Sequence, residues 1–266
     1  MSGRAPITAL VVSHNEAHLL RDRLPELSFC DEVIVVDVAS GDDTVRIAEA
    51  NRARVIRHAF APIAEIVHPD VIGESRNDLV ALLDPDERVP HGLAAQLAEL
   101  TRTLPGDVGI VIVPRVYYFG RQPLRGTIWG GTTGKRFVAR RSGTRFTGAV
   151  HQGVQLRPGY RYETIEFDGT NALEHLWVTG YRDFVRKHVR YVRIEGAARA
   201  SMGEITGFRA AAKTPVSSFV TCFVRHKGYR DGLRGLVLSL LYAVYRTGSD
   251  LSLIRELRRA GSALSS

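Results

Sequence analysis

The sequence predicts an α/β fold whose sheet is largely parallel and covered on both faces. Near-continuous apolar runs, Ile7 to Val12, Val33 to Val36 and Leu79 to Leu83, are separated by segments of helical period. Strands apolar along their whole length are buried on both sides. Each run also ends in a polar cluster: Ser13 to Glu16, Asp37 to Asp43, and Asp84 to Glu87. Such sheets bind ligands beyond the carboxyl ends of their strands, so the chemistry is expected in these three clusters.

The elements follow in order. Ile7 to Val12 is the first strand, and Glu16 to Leu27 carries Leu19, Leu20, Leu24 and Leu27 at helical spacing. Val33 to Val36 is the second strand. Gly41-Asp42-Asp43-Thr44 supplies turn and N-cap chemistry for a helix through Ala50, and Arg54 to Ile56 is a short third strand. Leu79 to Leu83 is the fourth. His91 to Thr103 reads as an amphipathic helix, and Val108 to Val113 as a strand continued past Pro114 by Val116 to Phe119. From there to Asn171 the pattern is β-like and Gly-rich, through Trp129 to Gly134, Lys135 to Ala139 and Phe146 to Leu156. Tyr181 to Met202 is helical, with Tyr181, Phe184, Val185, His188, Val192 and Ala198 near one face. Ser217 to Leu257 is helical and basic. The expected division is 1–210 as the α/β domain and 211–266 as a helical basic extension, packing on that domain or on a membrane or partner.

The chain has 266 residues, 44% of them hydrophobic, with a formal net charge of +8. That is enough chain for a sizeable core. The Arg excess suits nucleic acid, an anionic membrane or a phosphorylated substrate, and does not choose among them. Cys30 and Cys222 stand far apart and read as buried thiols, not a disulfide framework or zinc site. The N-terminus enters a strand pattern at once, and no apolar run reaches the roughly 18 residues that span a bilayer. The expected location is cytoplasmic, with peripheral attachment to the inner face of the cytoplasmic membrane open.

Asp84-Pro85-Asp86-Glu87 places two carboxylates one residue apart at the end of a buried strand. Without a cation they repel, and a hard-oxygen pair suits Mg²⁺ or Mn²⁺ with a diphosphate opposite. A strand-ending turn and cap is the competing reading. Ser13-His14-Asn15-Glu16 contains no glycine, which disfavours a dinucleotide-binding turn. Its polar groups suit a nucleobase edge or a helix start, where Glu16 complements the macrodipole. Asp37 stands where a strand-end acid commonly receives a nucleoside group, whereas Asp42, Asp43 and Thr44 read more simply as caps. His175 follows a short apolar strand and reads as a metal or diphosphate ligand, or as a neighbour of Trp177. Lys135, Arg136, Arg140 and Arg141 read as a solvated strand face, with phosphates as the alternative. The Trp129 to Gly134 loop reads as a lid on the acceptor side or as a hairpin connection.

Taken together, Val11-Val12-Ser13-His14-Asn15-Glu16, Glu32 to Asp37 with Ser40, Asp42 and Thr44, and Leu83-Asp84-Pro85-Asp86-Glu87-Arg88 resemble a family 2 glycosyltransferase. The similarity is greatest to the bacterial lipopolysaccharide-core (WaaE-like) group. It is strong over roughly residues 5 to 115 and weaker through Phe137 to Arg141, Val150-His151, His175 and Tyr181 to Tyr191. The resemblance implies a GT-A fold with a mixed sheet flanked by helices. It implies transfer of a sugar from a UDP-, GDP- or dTDP-linked donor to a cell-envelope glycan or glycolipid, with inversion. By the same resemblance Ser13, Asn15, Glu16, Asp37, Arg76 and Asp84 bind the nucleotide-sugar, and Asp86, with Asp84 and His175, holds Mn²⁺ or Mg²⁺.

This chain departs from the family pattern at three places. His14 replaces the usual Lys, Asp78 follows Arg76-Asn77 directly before the strand, and Gln152 stands where relatives carry Glu. The last change leaves His151 as the candidate base for the acceptor's proton, with Glu163, Glu166, Asp168 and Glu174 as alternatives.

At the other end, Leu233, Leu236, Val237, Leu240, Leu241 and Val244 form a helical stripe between basic clusters, so residues 225–259 are expected to touch a membrane, the catalytic domain or a second copy. No nucleic-acid partner is expected. A sugar-phosphate nucleotidyltransferase and a non-catalytic polyanion- or membrane-binding protein are the competing functions.

Overall fold

The computed structural model describes residues 4–147 and 153–263. Two compact units emerge, one of residues 1–116 and 132–175, the other of residues 117–131 and 176–266. The expected boundary at 210/211 falls inside the second unit.

In the first unit, β1 (Ala5–Ser13), α1 (Ala17–Arg23), β2 (Cys30–Val38), α2 (Thr44–Ala50), β3 (Arg54–His58), α3 (Ala64–Val71) and β4 (Leu79–Leu83) come in succession. β5 (Glu87–Arg88), α4 (His91–Thr103) and β6 (Val108–Phe119) follow, the last running on into the second unit. The sheet order begins β3-β2-β1-β4-β8-β6, where β8 spans Thr132–Arg140. β1 to β4 are parallel, and β8 is antiparallel to both β4 and β6. The sheet is therefore mixed, as the family resemblance implies, with the parallel part expected from the apolar runs confined to β1 to β4. β9 (Thr144–Phe146) and β10 (Val154–Leu156) form a separate hairpin. β11 (Arg161–Thr164) pairs with β6, and β12 (Leu173–Val178) pairs antiparallel with β5.

Strand alternation explains why both faces are buried. Ala9 and Val11 of β1, with Ala81 and Leu83 of β4, point into a core shared with Leu20, Leu24, Leu93 and Leu97. Leu10, Val80 and Leu82 point the other way, against Val67 and Val71 of α3. The sequence reading contains no helix over 64–71; α3 forms there with Pro69 inside it, although proline ordinarily signals a break.

The second unit is built on α5 (Tyr181–Ser201), α6 (Phe208–Ala211), α7 (Thr214–Val220) and α8 (Gly232–Ala263), with β7 (Gln122–Pro123) closing a hairpin on the end of β6. Its core holds Leu124, Trp177, Val178, Phe184 and Leu238, with Trp129 packed against it. Trp129 lies 4.4 Å from Trp177 between ring centroids, so the expected lid residue is a packing residue. Of the apolar face expected on α5, Phe184 and His188 are buried, while Tyr181 and Val185 are exposed. α5 lies tightly on α8, since a Cβ built on Gly196 would come within 2.3 Å of Ser252. Buried Arg199 joins the two helices through Asp250 at 2.9 Å and Ser249 at 2.7 Å. Cys30 and Cys222 are free and buried, as the sequence predicts.

Candidate active site

The turn after β4 organises the site. Glu87 N–H donates to the Asp84 carbonyl at 2.9 Å, and Asp84 N–H donates to Glu87 Oε2 at 3.1 Å. These two bonds close Asp84-Pro85-Asp86-Glu87 into a tight turn whose last carboxylate is fully buried. A buried carboxylate needs a partner. Lys135 of β8 supplies it by bonding Glu87 Oε2, and its Nζ also lies 3.4 Å from Asp84 Oδ2. Burial alone would discharge this ammonium, but Asp84 and Glu87 outweigh that effect and hold its pKa above the ordinary value. Burial would likewise raise Asp84, yet Lys135, His175 and His68 hold its carboxyl below the usual range. Asp84 keeps 47% of its side chain open to solvent.

β12 brings the imidazole. His175 pairs in register with Glu87. Its Nε2 lies 3.3 Å from Asp86 Oδ2, and its Nδ1 3.7 Å from Glu87 Oε1. Glu87 Oε1 is buried and accepts no hydrogen bond among the described residues.

Sheet register places the first two clusters at the same edge. Val11 pairs with Leu83, and Ser13 with Asp37. The carboxyl ends of β1, β2 and β4 therefore stand side by side. Glu16 turns back over the end of β1 and accepts from Ser13 Oγ and from His14 N–H, each at 3.4 Å. Burial, then Asp86, then Asp84 at lesser weight, push its carboxyl up to about 7. Glu16 thus belongs to the same electrostatic cluster as the Asp84–Asp86 turn.

The remaining motif residues clamp the two loops together. Asn15 N–H donates to Ser40 Oγ at 3.0 Å, and Gly41 N–H donates to Asn15 Oδ1 at 2.7 Å. Asp42 accepts from Ala17 N–H at 3.1 Å and from Thr44 N–H at 3.0 Å, so one carboxylate caps α1 and α2. Asp37 is buried and accepts Ser40 N–H at 3.1 Å. Asn15 (φ 56°) and Ala39 (φ 53°) are left-handed, a conformation that Asn tolerates and that Ala adopts only when its surroundings impose it.

Of the residues assigned from sequence, the structure brings Ser13, Asn15, Glu16, Asp37, Asp84, Asp86 and His175 to one edge of the sheet. Arg76 is not among them. It precedes β4 at the amino ends of the strands, where its N–H donates to Glu32 Oε2 at 2.7 Å and its Nη1 lies 3.6 Å from Asp31. His151 and Gln152 lie outside the described residues. Arg140 and Arg141 donate to backbone carbonyls of Val108, Pro105, Gly73 and Ser75. Lys135 corrects the reading of a solvated strand face. Lys135 pairs with Val113 and Val138 with Val111, so both face one way across a bulge at Phe137 that interrupts the period of 2.

Among the described residues no three His, Cys, Asp or Glu side chains converge on a preformed metal position. The donor set is nevertheless hard oxygen: Asp84 is open to solvent beside Lys135, Asp86 lies beside His175, and Glu16 feels both aspartates. Such a set fits Mg²⁺ or Mn²⁺ held by one or two carboxylates, with substrate phosphates completing the shell.

No family model matches the chain. Similar solved structures include glucosyl-3-phosphoglycerate synthase from Mycobacterium tuberculosis with Mn²⁺, UDP and glucosyl-3-phosphoglycerate (24% identity, 45% of this chain and 46% of that chain, TM-score 0.33). The same enzyme with Mn²⁺ and UDP-glucose gives 23% identity over 44% of this chain and 45% of that one, TM-score 0.33. A further mycobacterial protein gives 25% identity over 44% and 42%, again at 0.33. The alignment spans less than half the length of each of these structures, and a likeness at that TM-score says nothing about the chemistry of this chain.

Proposed function

We propose that this protein is a metal-dependent glycosyltransferase of the GT-A, family 2-like type, moving a sugar from a nucleotide-sugar to a cell-envelope glycan or glycolipid with inversion. One observation carries the reading: Glu16, Asp84, Asp86 and His175 gather at the carboxyl ends of β1 and β4, beside buried Asp37. A nucleoside diphosphate bound there would set its base toward Asp37 and the first turn, and its phosphates toward the acidic turn. Asp86 and Asp84 would hold Mn²⁺ or Mg²⁺, with His175 orienting Asp86. The bound metal neutralises charge on the departing diphosphate. Lys135 and Glu87 hold the turn in place, so the two aspartates meet the ligand without rearrangement. His151 remains the proposed base for the acceptor hydroxyl.

The test is binding and turnover with UDP-, GDP- and dTDP-sugars, with and without Mn²⁺. One nucleotide plus metal should raise the thermal midpoint selectively. Asp86→Ala should lower metal-dependent transfer by about 100-fold or more at unchanged stability. Retained metal-dependent activity in that variant would remove Asp86 from the site. Release of pyrophosphate from a nucleoside triphosphate and sugar phosphate would instead identify a nucleotidyltransferase.

A further inference from the structure

The net positive charge of this protein resides in one unit. Residues 117–131 and 176–266 hold 18 Lys and Arg against 6 Asp and Glu, and the rest of the chain holds 18 against 22. The net +8 therefore divides into +12 and −4.

The basic unit also keeps large apolar side chains in water. Leu233, Leu240, Val244 and Leu251 of α8 are exposed, Leu233 by 76% and Val244 by 70%. Their spacing of 7, 4 and 7 residues sets them on one line along a helix of about 3.6 residues per turn. The inward face of α8 is a different set, Leu238, Ala243, Leu253 and Ile254, so the outward stripe is not needed for packing. Val216, Val220 and Val224 repeat the pattern at four-residue spacing from α7 onward, all exposed. Near the end of α8 a cavity of about 470 Å³ is lined by Phe208, Leu251, Ile254, Arg255, Arg258 and Arg259. The Arg258 guanidinium lies over the Phe208 ring at 4.6 Å, and Arg259 bonds Glu256 at 3.0 Å. Leu251 belongs to both the stripe and the cavity.

We propose that this unit is a docking surface for an anionic phospholipid bilayer. The α8 stripe meets the acyl boundary, and the cavity takes a lipid phosphate between its arginines, with the chain against Phe208 and Leu251. Two occupants could cover such a stripe, a second copy or a lipid surface. A second copy would set +12 against +12, whereas an anionic leaflet supplies the opposite charge and the apolar layer together. No described helix is long and apolar enough to cross a membrane, so contact lies in the plane of the interface. Docking of this kind requires neither the proposed donor nor the proposed transfer.

The test is co-sedimentation of the full chain with phosphatidylcholine vesicles, with and without about 30% phosphatidylglycerol, across a salt series. Binding should require the anionic lipid and weaken with salt. Combined Leu233→Glu and Val244→Glu, at exposed sites and with unchanged circular dichroism, should lower partition about tenfold or more. Combined Arg258→Gln and Arg259→Gln should cost about fivefold per arginine. Equal binding to neutral vesicles, or indifference to both variants, overturns the proposal. So does a dimer in light scattering that Val244→Glu splits, which would give the stripe to a second copy. Stabilisation by inorganic phosphate without vesicle binding would give the cavity to a free anion and overturn it equally.

Discussion

Among single residues, Lys135 and Glu16 set the electrostatics of the acidic turn in opposite senses. Lys135 is the cation that makes two neighbouring carboxylates tolerable. Its removal leaves Glu87 buried and uncompensated, and Lys135→Met should lower stability by about 3–5 kcal/mol in urea denaturation. Glu16 is the strained member. Its carboxyl, pushed from 4.5 up to about 7, is protonated in the folded chain over a range where the unfolded chain ionises. Its stabilising contribution is complete below pH 4.5 and is lost as pH rises through about 7. Glu16→Gln should therefore raise the thermal midpoint near pH 8 and leave it almost unchanged near pH 5. The same variant should bind Mn²⁺ more weakly if the cluster holds the metal, which calorimetry would read. His68 has the opposite slope. Burial lowers its pKa from 6.5 to about 4, so its contribution is complete above pH 6.5 and is lost as pH falls toward 4. Replacing His68 with Gln should flatten the acid limb of the stability curve.

Between elements, the two loops after β1 and β2 behave as one object. Asp42 caps α1 and α2 together, and Asn15 bonds Ser40 and Gly41 across the gap. Asp42→Ala should cost about 2 kcal/mol, roughly one cap at each helix, measured as a shift in the urea midpoint without change in slope. The bond from Asp42 to the start of α2 is legible in the sequence, because short polar side chains before an apolar period have one common use. The second cap, on α1, is not, since the residues it joins are 25 apart in the chain. α3 escapes a sequence reading because local proline chemistry argues against a helix that tertiary burial of Val67 and Val71 nevertheless stabilises. Lys135 escapes it because a lysine's charge outweighs, in any local reading, its position on a buried strand face.

Across the whole molecule, the division of charge into +12 and −4 has a thermodynamic consequence. Like charges crowded into one unit repel at low ionic strength. Raising NaCl from about 20 mM to about 300 mM should therefore raise the thermal midpoint of the protein, because screening shortens to under about 10 Å. A flat response would mean that the excess cations of this unit stand too far apart for their repulsion to affect stability. Local sequence was sufficient for the α/β class, the strands β1 to β4 and the weight given to the polar clusters after them. Those rest on short-range periodicity and on the general position of ligands in parallel sheets. Which polar residues meet was a matter for the folded chain alone. Register set Ser13 beside Asp37, the β12–β5 pairing carried His175 to Asp86, and β8 delivered Lys135 to the acidic turn, while Arg76 was left at the far ends of the strands. Contacts between residues dozens of positions apart depend on strand order, and strand order is fixed by burial of the whole core, which no local pattern encodes.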